Sequence, residues 1–419
     1  MSKRQAVVII HGIGEQKPMS TLRGFVSTMT SQVNSGTGSA NRKFYSKPDL
    51  FSGSFELRRL TTPPQGARIK TDYFEYYWAS NMRDTKIQQV LSWIGAILFR
   101  WPWNLPRRIF SIHVFLWILI ILFVVLYFKN GGIGLSDHWP QWGGLIATLL
   151  LSYITYLLTS FVGDSVRYTS PNPGNIAERQ KIRKDGIELL HALHNSRNYE
   201  RIIIVGHSLG SIIGYDLIRY LWAEYSGKYQ DKIDPQMLLQ FEHQFSPSSG
   251  IAFDLRSYVS WQEKMFKQQN SDGNPWLISD FITLGSPLTY SSFLLAKNTD
   301  ELHQRIDERE LPSSPPFYEE LSGKRTITYQ PALTNPRRIL HHACPFACTK
   351  WTNVYYSNDF VGGSLKECFG EGITEYKIEI EKSFFTKIIP FLSHTHYWGD
   401  STKQYVSCKG SSDILKAII

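Results

Sequence analysis

The sequence predicts an α/β fold, a mainly parallel sheet flanked by helices, and three stretches predict it. The apolar, β-branched run from Arg201 to Val205 enters Gly206-His207-Ser208-Leu209-Gly210 and passes directly into the helical pattern of Ile212 to Ile218. Ala6 to Ile10 is a second buried-strand run, and it empties into the glycine-rich His11-Gly12-Ile13-Gly14. Later runs over Phe281 to Leu284 and Thr352 to Ser357 each close on a turn. A helix over 177–198 before the strand at 201, together with these runs, makes the alternation of a parallel sheet.

The elbow at Ser208 carries the most chemistry. A serine between two glycines, where a strand turns sharply into a helix, is held in a strained conformation with its hydroxyl raised above the sheet edge. The plainer alternative is a serine that only caps a helix. The early strand ends in a turn able to aim a backbone N–H at a developing oxyanion. With Gly-His-Ser-Leu-Gly and His-Gly-Ile-Gly in one chain, the sequence resembles the α/β-hydrolase superfamily and, within it, the lipase and esterase branch. The resemblance covers residues 1 to about 80 and about 164 onward, but not the segment between.

That resemblance implies a catalytic serine hydrolase with Ser208 as nucleophile and the N–H groups of Ile13 and Leu209 as the oxyanion hole. It also implies an order, serine, then acid, then histidine. Asp359, in the turn after the run at 352–357, fits the acid loop, against the plain reading of an Asn-Asp turn. Asp400 follows both candidate bases, and Asp164 and Asp216 lie in helical patterns, so they fit less well. Near the C-terminus, Ser393-His394-Thr395-His396-Tyr397-Trp398 offers two bases. The family's His-Ser/Thr-x-Tyr-Trp pattern selects His394 and leaves His396 as the alternative base. His207 and the pair His341 and His342 have no place in the order. Ser286, in the Gly-Ser-Pro turn, lacks an elbow and reads as structural.

The middle of the chain departs from a soluble enzyme. Residues 109–128 and 142–163 carry no Lys, Arg, Asp or Glu. Each stretch is long enough to cross a hydrocarbon core of about 30 Å as a helix. Trp101, Trp103, Trp139 and Trp142 flank them, and arginines and lysines cluster before the first and after the second. The positive-inside bias then puts both ends on the cytoplasmic side. A pair of buried core helices is the alternative. The expected division is residues 1–85 and 164–419 as the two parts of one hydrolase unit, with 86–163 as a membrane insert. The segment 226–275 reads as polar, aromatic and irregular, a candidate cap over the site.

Composition sets the remaining bounds. The net charge of +9 is scattered rather than blocked, which fits an anionic membrane surface weakly and nucleic acid hardly at all. The chain opens without a secretory signal, so its four cysteines read as reduced. Cys344 and Cys348 lack a second ligand pair and read as buried thiols, so neither a metal nor a cofactor is expected. The expected partners are an acyl-ester or lipid substrate and the bilayer, and nothing in the sequence sets the oligomeric state. A thioesterase or amidase, or a catalytically silent scaffold of the same fold, remains as an alternative reading.

Overall fold

Strand β1 (Arg4–Ile10) lies inside the sheet, and its side chains part to two cores. Ala6, Val8 and Ile10 face one side, Val7 and Ile9 the other, and all are buried. A strand covered on both faces needs no polar alternation, which is why it reads as one apolar run. The computed structural model describes residues 4–12, 17–30, 44–64, 69–82, 164–169, 173–229, 234–319, 325–330, 338–379, 393–398 and 409–419, with isolated positions between 99 and 121.

The chain continues through α1 (Ser20–Thr30), β2 (Tyr45–Pro48), β3 (Arg58–Thr62) and β4 (Lys70–Tyr76). It resumes with α2 (Asp164–Thr169), α3 (Pro173–Asn195), β5 (Arg201–His207) and α4 (Leu209–Tyr229). Then come α5 (Pro235–Phe245), α6 (Leu255–Ser271), β6 (Ile278–Leu284), α7 (Thr299–Asp307), β7 (Lys350–Tyr356), β8 (Thr374–Ile378) and α8 (Lys409–Ile418). The eight strands form one sheet in the order β8-β7-β6-β5-β1-β4-β3-β2. From β8 to β4 every pairing is parallel, and β3 and β2 add an antiparallel edge. The architecture is therefore α/β with a mostly parallel central sheet flanked by helices, as expected. Strands before and after residues 83–163 pair directly, β1 with β5, so that segment interrupts one sheet rather than dividing two.

Helices cover both faces. Leu190 and Leu193 of α3 and Ile213 and Leu217 of α4 pack with Ala6, Val8 and Ile10. Phe25 and Val26 of α1 and Leu415 of α8 pack with Val7 and Ile9. The segment 226–275 is largely helical, not irregular. Asp234 accepts from the N–H of Gln236 to cap α5, and Asp254 accepts from those of Arg256 and Ser257 to cap α6. From α6, Gln262 donates to the carbonyls of Phe346 and Thr349, just ahead of β7, and Tyr258 donates to Phe346. These contacts lie where the strand begins, at the opposite end from Ser208.

Nearly all of the expected spans, 109–128 and 142–163, lies outside the described residues. Among the described residues no helix is long and apolar enough to cross a membrane. Six positions of the first span are described and helical: Phe110, His113, Val114, Trp117, Ile118 and Ile121. All but His113 are exposed.

Candidate active site

Ser208 joins β5 to α4 with φ +53°, in the left-handed region that a non-glycine residue rarely occupies. The backbone holds it there from both sides. Its N–H donates to the Leu284 carbonyl at 3.0 Å, and its carbonyl accepts from the Ser211 N–H at 2.9 Å. A Cβ on Gly210 would stand 2.1 Å from the Ile10 carbonyl oxygen, and one on Gly12 would stand 2.7 Å from the Ser208 Cβ. Each glycine thus permits an approach that any side chain would block. The turn after β1 is seated directly against the elbow.

Asp359 follows β7, and four hydrogen bonds converge on its carboxylate. His394 Nδ1 lies 3.1 and 3.0 Å from its two oxygens, the Tyr397 hydroxyl donates to Oδ2 at 2.6 Å, and the Val361 N–H donates to Oδ1 at 2.8 Å. Burial alone would push this carboxyl up. The paired imidazole and the Tyr397 and Val361 donors outweigh it and bring the pKa down to about 2. The aspartate is therefore ionised at neutral pH, and His394 Nδ1 carries the proton between them. Nε2 is then the ring nitrogen left to accept one.

Gly285 links this pair to the elbow. It follows Leu284, which receives the Ser208 N–H, and it has φ +55°. A Cβ there would lie 2.8 Å from Asp359 Oδ2 and 3.0 Å from His394 Nδ1. Ser208, Asp359 and His394 thus gather at the adjoining C-terminal ends of β5, β6 and β7.

The acid meets His394 and not the alternative, His396, whose Nδ1 pairs with the neighbouring Thr395 hydroxyl at 3.0 Å. Leu209 opens α4, where a first-turn N–H has no carbonyl of its own helix to bond. Ile13, the other expected oxyanion donor, and Asp400 lie outside the described residues. Asp216 is bound elsewhere, to Arg183 and to the Tyr168 hydroxyl. Ser286 packs under the elbow, its hydroxyl 2.6 Å from that of Ser211 and accepting from the Leu288 N–H, so it is a supporting group.

The second histidine cluster is structural. His341 accepts from the Ala343 N–H at Nδ1 and donates from Nε2 to the Pro316 carbonyl, and burial lowers its pKa to about 3. Cys344 and Cys348 are buried free thiols, raised by burial. Among the described residues no group of three metal-binding side chains comes together.

Two site residues carry no signal in the expected order, Tyr397 and His207. Tyr397 was visible only as part of the pattern that selected His394. His207 donates from Nε2 to the His394 carbonyl at 2.9 Å. No protein-family model, curated protein or solved structure matches the chain.

Proposed function

We propose that this chain is a serine hydrolase of the α/β-hydrolase kind, cleaving a carboxylic ester, a lipid or other acyl ester, through an acyl-serine intermediate. The observation that carries the reading is the contact of His394 with an ionised, buried Asp359, at strand ends shared with a serine at positive φ. A hydroxyl is a weak nucleophile near neutral pH, and it needs a base that is itself oriented. In the proposed reaction His394 Nε2 takes the Ser208 proton as Oγ attacks the ester carbonyl. The N–H groups of Leu209 and Ile13 receive the oxyanion, and Asp359 stabilises the imidazolium. His394 then protonates the departing alcohol. Water, deprotonated by the same imidazole, releases the acid and restores Ser208.

The reading includes a tether, with residues 109–128 and 142–163 crossing the bilayer and the catalytic part on the cytoplasmic side. Their charge-free lengths and basic, tryptophan-rich flanks support it. So do the exposed side chains of Phe110, Val114, Trp117, Ile118 and Ile121. A site held at a bilayer meets acyl esters of lipids, which is the argument for that substrate class.

The deciding experiment is labelling of the full-length, membrane-borne protein with a fluorophosphonate probe. The adduct should map to Ser208 and vanish in Ser208→Ala. Absence of labelling in the folded protein would leave a silent scaffold in place of an enzyme.

A further inference from the structure

We infer that His207, the residue before the elbow serine, is a positioning residue for the base: it holds the main chain and the ring of His394 in line between Asp359 and Ser208. The inference rests on the serine-hydrolase reading and deepens it.

Three contacts define the role. The first is the hydrogen bond from His207 Nε2 to the His394 carbonyl at 2.9 Å. A carbonyl only accepts, so Nε2 must carry the proton. The second is the stack of the two imidazoles, their centroids 5.0 Å apart and their planes 28° from parallel. The third is the edge contact with Trp398 at 4.8 Å and 74°, which closes the other end of the base segment over the same ring. On its remaining side His207 abuts the turn after β1, for a Cβ on Gly12 would lie 3.0 Å from its Nδ1. One imidazole therefore touches the strand that ends in the nucleophile, the main chain of the base, and the turn that leads to Ile13.

The charge state suits this task. Although an edge of His207 stays at the surface, its packing strips water from the ring and lowers its pKa to about 3, and the neighbouring His394 adds to the effect. A neutral ring can stack on His394 without opposing the imidazolium that forms during the reaction, whereas a second cation at this distance would disfavour it. Proton transfer depends on alignment, and a shift of about 1 Å in a reacting group can cost about a hundredfold in rate. Asp359 holds His394 at Nδ1, and His207 holds it at the main chain and on a ring face. The bond and stack from His207 thus fix the ring's orientation from a second direction.

The test uses the full-length protein in detergent or bilayer, a short soluble acyl ester, and the fluorophosphonate probe. His207→Leu should lower kcat by about ten- to a hundredfold with KM within about twofold, and slow labelling of Ser208 by the same factor. His207→Gln carries an amide N–H near the place of Nε2 and should regain most of the rate and of the labelling. Should His207→Leu fail to fold, His207→Phe keeps a ring but lacks the donor and should show the same loss. Wild-type kcat in the leucine or phenylalanine variant would overturn the inference, as would a glutamine variant no better than either. A folded wild type that does not label at Ser208 would overturn the hydrolase reading and this inference with it.

Discussion

The Tyr397 hydroxyl donates to Asp359 Oδ2 at 2.6 Å, and it does so from the same short segment that supplies His394. The phenol also accepts the Tyr356 N–H at 3.2 Å, so it ties the segment back to β7. Tyr397→Phe should leave one buried carboxylate oxygen short of a donor and destabilise the fold by about 1–3 kcal/mol. The sign with pH follows from the depressed acid. Asp359 contributes stability above its ordinary value of 3.8, and that contribution is lost as pH falls toward about 2. Without the phenol the carboxyl is held less far below 3.8, so the acid-induced loss should be smaller and the two proteins should converge in stability as pH falls. Thermal unfolding of both proteins from pH 7 to pH 3 checks this, and superimposable profiles would count against it.

Ser208 sets function against stability at one residue. Its φ of +53° is strained for serine and unstrained for glycine. Ser208→Gly should therefore abolish ester hydrolysis, by at least about a thousandfold, while stabilising the fold by about 1 kcal/mol. Ser208→Ala should lose the same activity without the gain in stability. A glycine variant that melts below the alanine variant would show that the turn carries no strain worth relieving.

The two histidines of the base segment should separate cleanly. His394→Ala should cost about as much as loss of the serine, because the members of such a constellation act as a unit. His396→Ala, which leaves the bonds to Asp359 intact, should keep kcat within about threefold. Comparable damage from both would mean that the segment, rather than the imidazole, is the sensitive element.

How much of this was legible from residues alone depends on where each signal lies. Strands β1 and β5 were legible because both faces are covered and the sequence is apolar without interruption. Edge strands β2 and β3 were not, since Tyr45 to Pro48 is mostly exposed and Arg58 to Thr62 is polar but for Leu60, with pairing supplied by neighbours rather than by pattern. Helices α5 and α6 were read as irregular, yet Asp234-Pro235 and Asp254 before Arg256 and Ser257 are cap signals that local reading can use. Asp359 and His394 were reached through the order of a family pattern. His207 was not, because its partner is 187 residues away and nothing local in Gly-His-Ser announces it.

The tether has its own test. If residues 109–128 and 142–163 span the bilayer, the protein should stay with membranes through high salt and alkaline carbonate, and detergent should release it. Salt would strip a peripheral basic protein by screening its attraction to the surface. Replacing Leu119 and Ile120 by Asp should impair insertion, since each charge near a span centre costs about 2.5–3.5 kcal/mol on insertion scales. Release by salt alone would remove the membrane from the proposal and, with it, the case for lipid esters.

Glu75 gives the fold a pH dependence opposite in sign to that of Asp359. This β4 carboxylate is buried beside the start of α1, where Oε2 accepts the Met19 N–H at 2.6 Å while Oε1 makes no hydrogen bond among the described residues. Burial raises its pKa from 4.5 to about 7, against the opposing pull of the Met19 and Leu22 N–H groups. A carboxyl held more tightly protonated in the native state than in the unfolded chain favours folding at low pH. Between about 4.5 and about 7 the native state binds more protons than the unfolded state, so stability falls as pH rises through that window. The full effect above the window is on the order of 3 kcal/mol. Glu75→Gln keeps an acceptor for Met19 and removes the titration. It should therefore match wild type near pH 4 and be the more stable protein at pH 8. Unfolding measured across that range in one detergent should show the two curves diverging as pH rises, and parallel curves would place Glu75 in contact with water.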